Sequence, residues 1–237
     1  MGISINSPII SGELGDWNVI AIRECNEELV SLRGIHNRII VEPQYFINNI
    51  PGALNDCLVR KTVAKKLVKA AEELPGNFSL VIWDGWRPTE VQTALFDEYK
   101  SRLKQQFSGK KEEDLDREVA KFVSVPSVNP LCPSPHLTGG AVDLSIMKGS
   151  SYVPMGTGFD DFSPLSNTNY YEILSKRKEL TREENEFLQD RRLLFHCMRD
   201  AGFTNFPNEW WHFDYGDQFW ASISKSDHAI YGKAQRQ

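Results

Sequence analysis

Four residues, His136, Asp143, Glu209 and His212, have the types and spacing to do chemistry together. Two imidazoles and one carboxylate suit a zinc ion that keeps one coordination position open for water, and a second carboxylate outside the ligand set can then act as general base. The first pair lies in "SPHLTGGAVDLSI", a turn running into an apolar strand, and the second in "NEWWH". Taken singly, each residue has an ordinary explanation, because a buried acid can pair with an arginine and a lone histidine is usually just a hydrogen-bonded polar group. Together, with the adjacent pair Gly139-Gly140 beside them, they point to a metal.

Spacing sets a condition on the fold. Seven residues of straight strand would hold His136 and Asp143 about 23 Å apart, at roughly 3.3 Å per residue, too far to share one ion. They can meet only if Gly139-Gly140 turn the chain back, which glycine permits by accepting positive φ. Glu209 and His212 would point to opposite faces of an ideal strand. The spacing therefore places Glu209 in the turn before the strand and His212 inside it.

Arg87, in "WDGWRP", is held extended by Pro88 at the point where a buried strand leaves the core. A guanidinium there either fixes an anion, such as a substrate carboxylate or a developing oxyanion, or pairs with Asp84 or Glu90 for structure. Cys132 lies four residues before His136 and could offer a thiolate, but in its proline-rich surroundings it reads as a small hydrophobe. The other histidines, His36, His196 and His228, read as structural or surface residues, with His196 spaced for a helical pair with Asp200.

The elements that must carry these residues follow from periodicity and punctuation. Residues 55–76 predict an amphipathic helix ending at Pro75-Gly76, and "FSLVIWDGWRP" predicts a buried strand. Thr89 is placed to cap a helix over 90–107, and 110–123 continue helical. Residues 124–135, with four prolines, predict a loop, "AVDLSI" a strand, and 153–171 a long irregular segment of the kind that is often functional. Thr181 and Glu184 form a capping box for a helix with Gly202 just past its end, and "EWWHFDY" is the last strand. Helices and strands without regular βαβ alternation predict an α+β fold on a mainly antiparallel central sheet flanked by helices.

The 237 residues, 41% of them hydrophobic, can bury a sizeable core as one domain. A net charge of −5 with scattered lysines and arginines leaves no footprint for nucleic acid or an anionic membrane, so the expected partner is a small molecule or a protein. No stretch approaches the roughly 20 apolar residues needed to span a bilayer, and the N-terminus does not read as a secretory signal. Four cysteines without CxxC spacing suggest reduced thiols and a cytoplasmic address.

As a set, "LVIWDGWRP", "SPHLTGGAVDLSI", "VPMGTGFDDF" and "RRLLFHCMRDAGFTNFPNEWWHF" resemble the D-alanyl-D-alanine dipeptidases, zinc enzymes that share a fold with the wider D,D-peptidases and the Hedgehog signalling domain. The resemblance covers residues 56–215 as a catalytic core, with residues 1–55 matched only loosely. It implies one zinc ion on His136, Asp143 and His212, Glu209 as base, and Arg87 against the tetrahedral intermediate. It also implies that Asp160 meets the free amino group of a dipeptide substrate, helped by Ser134. The expected reaction is hydrolysis of D-alanyl-D-alanine; the rivals are a D,D-carboxypeptidase or peptidoglycan endopeptidase on the same scaffold, and a non-catalytic zinc module that binds a partner.

Overall fold

A computed structural model describes residues 6–106, 111–119, 126, 129–161 and 163–236. Its strands are β1 (Leu29–Ser31), β2 (Ile39–Val41), β3 (Leu58–Arg60), β4 (Phe78–Asp84), β5 (Ala141–Lys148), β6 (Ser151–Tyr152), β7 (Thr204–Asn205) and β8 (His212–Asp214). The helices are α1 (Gln44–Ile47), α2 (Lys61–Glu73), α3 (Thr89–Gln106), α4 (Glu112–Val119), α5 (Tyr170–Ser175), α6 (Arg182–Asp200) and α7 (Gln218–Ser224). This is the expected α+β architecture. The main sheet runs β2-β4-β5-β8-β7 with β6 beside β5, and every pairing in it is antiparallel except β2 with β4.

Strand β5 is the centre of the sheet, pairing with β4 along one edge and β8 along the other, and residues 141–147 are all buried. Val142, Leu144 and Ile146 are fully buried and join a core with Leu80 and Ile82 of β4, Val63, Leu67 and Ala70 of α2, and Leu194, Cys197 and Met198 of α6. Truncating one such leucine to alanine costs about 2–5 kcal/mol. The opposite face of the same strand carries Asp143 and Ser145, by the two-residue alternation of a pleated chain. The site therefore rests on the central, fully packed strand of the sheet.

Two local devices bring side chains to that face. The register of β4 on β5 shifts between Ile82 and Asp84, a bulge at Trp83 that sets Asp84 directly opposite Asp143. Bulges of this kind re-aim side chains beside active sites. On the other side, Asp143 stands opposite His212 across the β5–β8 pairing.

Several expectations need correction. The helix predicted from residue 55 begins at Lys61, because residues 58–60 are extended and pair antiparallel with β1. The strand predicted over 209–215 shrinks to β8, since Glu209 N donates to Phe206 O and His212 N to Glu209 O in a preceding turn. That turn is where the spacing of Glu209 and His212 required it. Helix α3 starts at Thr89 itself, and α4 spans Glu112–Val119, with residues 120–123 outside the described set. Part of the predicted proline-rich loop also lies outside it. His196 is no surface partner of Asp200: it is fully buried, with Nε2 2.8 Å from Ser7 O. The Thr181–Glu184 capping box is present in both directions.

Candidate functional site

His136 reaches Asp143 by a route that begins in a 3-10 turn, Pro135–Thr138. Gly139 follows with φ +73°, a conformation that favours glycine, and reverses the chain into β5. Gly140 is needed for space, because a Cβ there would stand 2.5 Å from Tyr215 O. The glycine pair was legible in sequence as a turn; the helical turn before it, which also shortens the path, was not.

The three donors converge. Asp143 Oδ1 lies 3.0 Å from His212 Nδ1, Asp143 Oδ2 lies 3.2 Å from His136 Nε2, and the two ring nitrogens are 3.2 Å apart. All three residues are buried, and their ligand atoms lie within 4.8 Å of one another. Donors around a zinc ion with bonds of about 2.0–2.1 Å stand roughly 3.4 Å apart at tetrahedral corners. The observed spacings fit that ion closely.

Protonation supports the same fit. A backbone carbonyl only accepts, so His136 donates Nδ1–H to Gly85 O at 2.8 Å and turns its Nε2 lone pair inward. His212 likewise donates Nε2–H to Asp214 Oδ1 at 2.9 Å and turns Nδ1 inward. Outer partners of this kind fix tautomer and ring orientation in metal-binding histidines. Two inward nitrogens and a carboxylate in a buried space need one positive species among them. Burial opposes a charge on His212, but Asp214 and Asp143 hold its pKa well above its ordinary value. Burial alone would raise the Asp143 carboxyl, yet His136 and His212 keep it well below the usual range.

Glu209 sits beside this triad, its Oε2 3.9 Å from His212 Nδ1. Burial, reinforced by Asp143 and Asp160, pushes its pKa up to about 8, with His212 and Arg87 pulling the other way. A carboxylate tuned toward neutral pH suits proton transfer.

Of the two roles the sequence left open for Arg87, the structure shows the pairing with a neighbouring acid. Nε donates to Asp84 Oδ2 at 2.7 Å, Nη1 to Gln92 Oε1 at 2.8 Å, and Nη2 to Tyr45 OH and Asp143 Oδ2, each at 3.2 Å. It pairs with Asp84, not Glu90, and is thereby held against the donor set. Although burial works against its charge, Tyr45, Asp84 and Asp143 raise its pKa further. Asp160, at φ +57°, accepts from Tyr45 OH at 3.1 Å. Burial and the Asp143 charge raise the Asp160 carboxyl to about 7. Ser134 is buried at the start of the 3-10 turn, where its carbonyl accepts from Leu137 N.

Sequence reasoning missed three members of the site. Tyr45, in a short helix 115 residues before Asp160, links that acid to Arg87, and nothing in its local sequence marks it. Asp84 entered only as a structural partner for Arg87, yet its Oδ2 also lies 3.3 Å from His136 Nδ1. Asp214 could have been found, because it lies two residues after His212 and so on the same face of the strand.

Residues 26–230 match the family model described as D-ala-D-ala dipeptidase. A D-alanyl-D-alanine dipeptidase of Synechocystis sp. is 30% identical over 242 residues, covering 94% of this chain and 98% of the relative. One from Enterococcus faecium is 25% identical over 182 residues, covering 73% of this chain and 77% of its own. Among solved structures, a Zn(II) complex of the vancomycin-resistance D,D-pentapeptidase VanY is 19% identical at a TM-score of 0.47, covering 91% of this chain and 96% of that one.

Proposed function

The chain belongs to the D-Ala-D-Ala dipeptidase family of metallopeptidases, and from that premise we propose that it hydrolyses D-alanyl-D-alanine to two D-alanines with one zinc ion on His136, Asp143 and His212. The observation that carries this reading is the buried donor triad with Glu209 and Arg87 placed against it. A structural or partner-binding zinc site needs neither of those two residues.

Bound there, zinc supplies a Lewis acid and lowers the pKa of a water toward ~7. The Glu209 carboxylate takes the proton of the attacking water and returns it to the leaving amine. Arg87, fixed by Asp84, Gln92 and Tyr45, offers its guanidinium to the oxyanion that develops at the substrate carbonyl. Asp160 receives the free amino group of the dipeptide, with Ser134 assisting. A longer wall peptide has no free amine near the cut and would leave that buried acid unpaired, which disfavours it.

The four cysteines form no disulfide, and no helix among the described residues is long and apolar enough to cross a membrane. Both facts are compatible with the cytoplasmic address we propose, where a dipeptide and not the assembled wall is the available substrate. The test is release of D-alanine from D-Ala-D-Ala and from a longer muramyl peptide, run beside an L,L panel with zinc measured on the same sample. Cleavage of the dipeptide alone is expected. Cleavage of the muramyl peptide alone assigns a D,D-carboxypeptidase, and activity on L,L dipeptides only refutes the substrate.

A further inference from the structure

A cavity of about 450 Å³ is lined by close chain neighbours of the site residues, though by none of the donors themselves, and the mechanism above makes no use of it. Its walls come from the residues next to the site residues in sequence: Trp83 precedes Asp84, Phe159 precedes Asp160, Trp210 follows Glu209, and Ser145 is the next residue after Asp143 on the same face of β5. The bulge in β4 is what allows Trp83 and Asp84 to serve that face together. Trp83 also walls the small space that contains Asp84 and Arg87, so the cavity and the arginine share a boundary.

The cavity is lined mainly by apolar and aromatic side chains, with Gln44, Ser145, Tyr152 and Thr157 as its neutral polar members. The Trp83 ring lies 5.1 Å from Phe159 and 5.8 Å from Trp210, spacings at which aromatic rings attract one another. Trp210 Nε1 donates to Thr157 Oγ1 at 2.7 Å and Trp83 Nε1 to Tyr152 OH at 3.4 Å, so both indole N–H groups already have protein partners. Among the described residues, no charged side chain lines the space. It is built for neither a carboxylate nor an ammonium group. Its volume is that of pockets that enclose ligands of many heavy atoms, about 300–1,000 Å³, and an alanine methyl would leave most of it unfilled.

We propose that this cavity receives one side chain of the substrate, and that the preferred substrates are D,D-dipeptides in which one residue is large and apolar or aromatic. This rests on the dipeptidase reading and deepens it. Each buried methylene in an apolar pocket is worth about tenfold or more in specificity.

The experiment compares kcat/KM for D-Ala-D-Ala, D-Phe-D-Ala and D-Ala-D-Phe in the wild-type chain and in Gly158→Leu. Gly158 lines the cavity, and a Cβ there meets nothing within 4 Å, so the leucine narrows the space without a backbone clash. In the wild type, one phenylalanine dipeptide should exceed D-Ala-D-Ala by at least ~10-fold. The ratio between the two should fall by a similar factor in Gly158→Leu. Equal or better use of D-Ala-D-Ala overturns the cavity proposal and leaves the dipeptidase standing. A phenylalanine preference that survives in Gly158→Leu puts the ring elsewhere and also overturns it. Failure to cut any D,D-dipeptide refutes the dipeptidase reading and this one with it.

Discussion

Nε2 of His136 and Nδ1 of His212 lie 3.2 Å apart, and the outer nitrogen of each ring is committed to a protein acceptor, Gly85 O and Asp214 Oδ1. The two rings therefore present their remaining nitrogens to one another and to Asp143, an arrangement that a cation relieves. Most of the testable consequences follow from that pairing.

One zinc per chain should survive dialysis, and a strong chelator should remove it together with activity. At a metal concentration 100 times its Kd the ion stabilises the fold by about 2.7 kcal/mol. The melting temperature should accordingly drop by roughly 5–10 °C on chelation. His136→Ala should contain less than a tenth of the wild-type zinc by elemental analysis; wild-type zinc content in that variant would remove His136 from the ligand set.

Glu209→Gln should keep its zinc and lose kcat by about 10²–10⁴, the span associated with a positioned acid–base group. The side chain keeps its size, so the melting temperature of the zinc form should change little. Wild-type turnover in this variant would end the assignment of Glu209 as base.

Arg87→Lys tests the fork geometry. An ammonium cannot reach Asp84, Gln92, Tyr45 and Asp143 at once, although it keeps the charge. The expected loss is about 10²–10³ in kcat, because a fixed oxyanion partner is displaced. Thermal stability should fall too, since buried carboxylates lose partners. A kinetically normal, destabilised variant would leave Arg87 with a structural role only.

Asp190, half-buried on α6, gives a pH signature away from the site. Burial, helped by Glu186 one turn earlier, raises its pKa to about 6, with Lys148 opposing. The folded state then binds the proton more tightly than the unfolded chain, whose Asp titrates near about 3.9. Stability from this group is greatest below pH 4 and declines as pH rises to about 6. Asp190→Asn should flatten the melting-temperature profile between those values and melt above the wild type at pH 7; an unchanged profile would contradict the assignment.

Much of the local structure was legible. The capping box at Thr181 and Glu184 marks the start of α6, and the apolar run of β5 marks a doubly covered strand, because caps and hydrophobic period act over a few residues. Residue types narrowed the site as well. Few side chains combine with imidazole to hold a metal, and the four singled out by type and spacing do lie together. The start of α2 misled because Leu58–Arg60 are apolar or long enough to extend the helical pattern, whereas pairing with β1 draws them into a strand.

By itself, then, the sequence determined the donor types, the glycine reversal between His136 and Asp143, and the turn that separates Glu209 from His212. Only the tertiary structure decided that Tyr45 would bridge Arg87 and Asp160, that a bulge would bring Trp83 and Asp84 to one face, and that Trp83, Phe159 and Trp210 would line a common cavity. The physical reason is range. Backbone preference is set by near neighbours, while contacts between residues 42 or 115 positions apart depend on strand register and on how the packed layers close over the sheet.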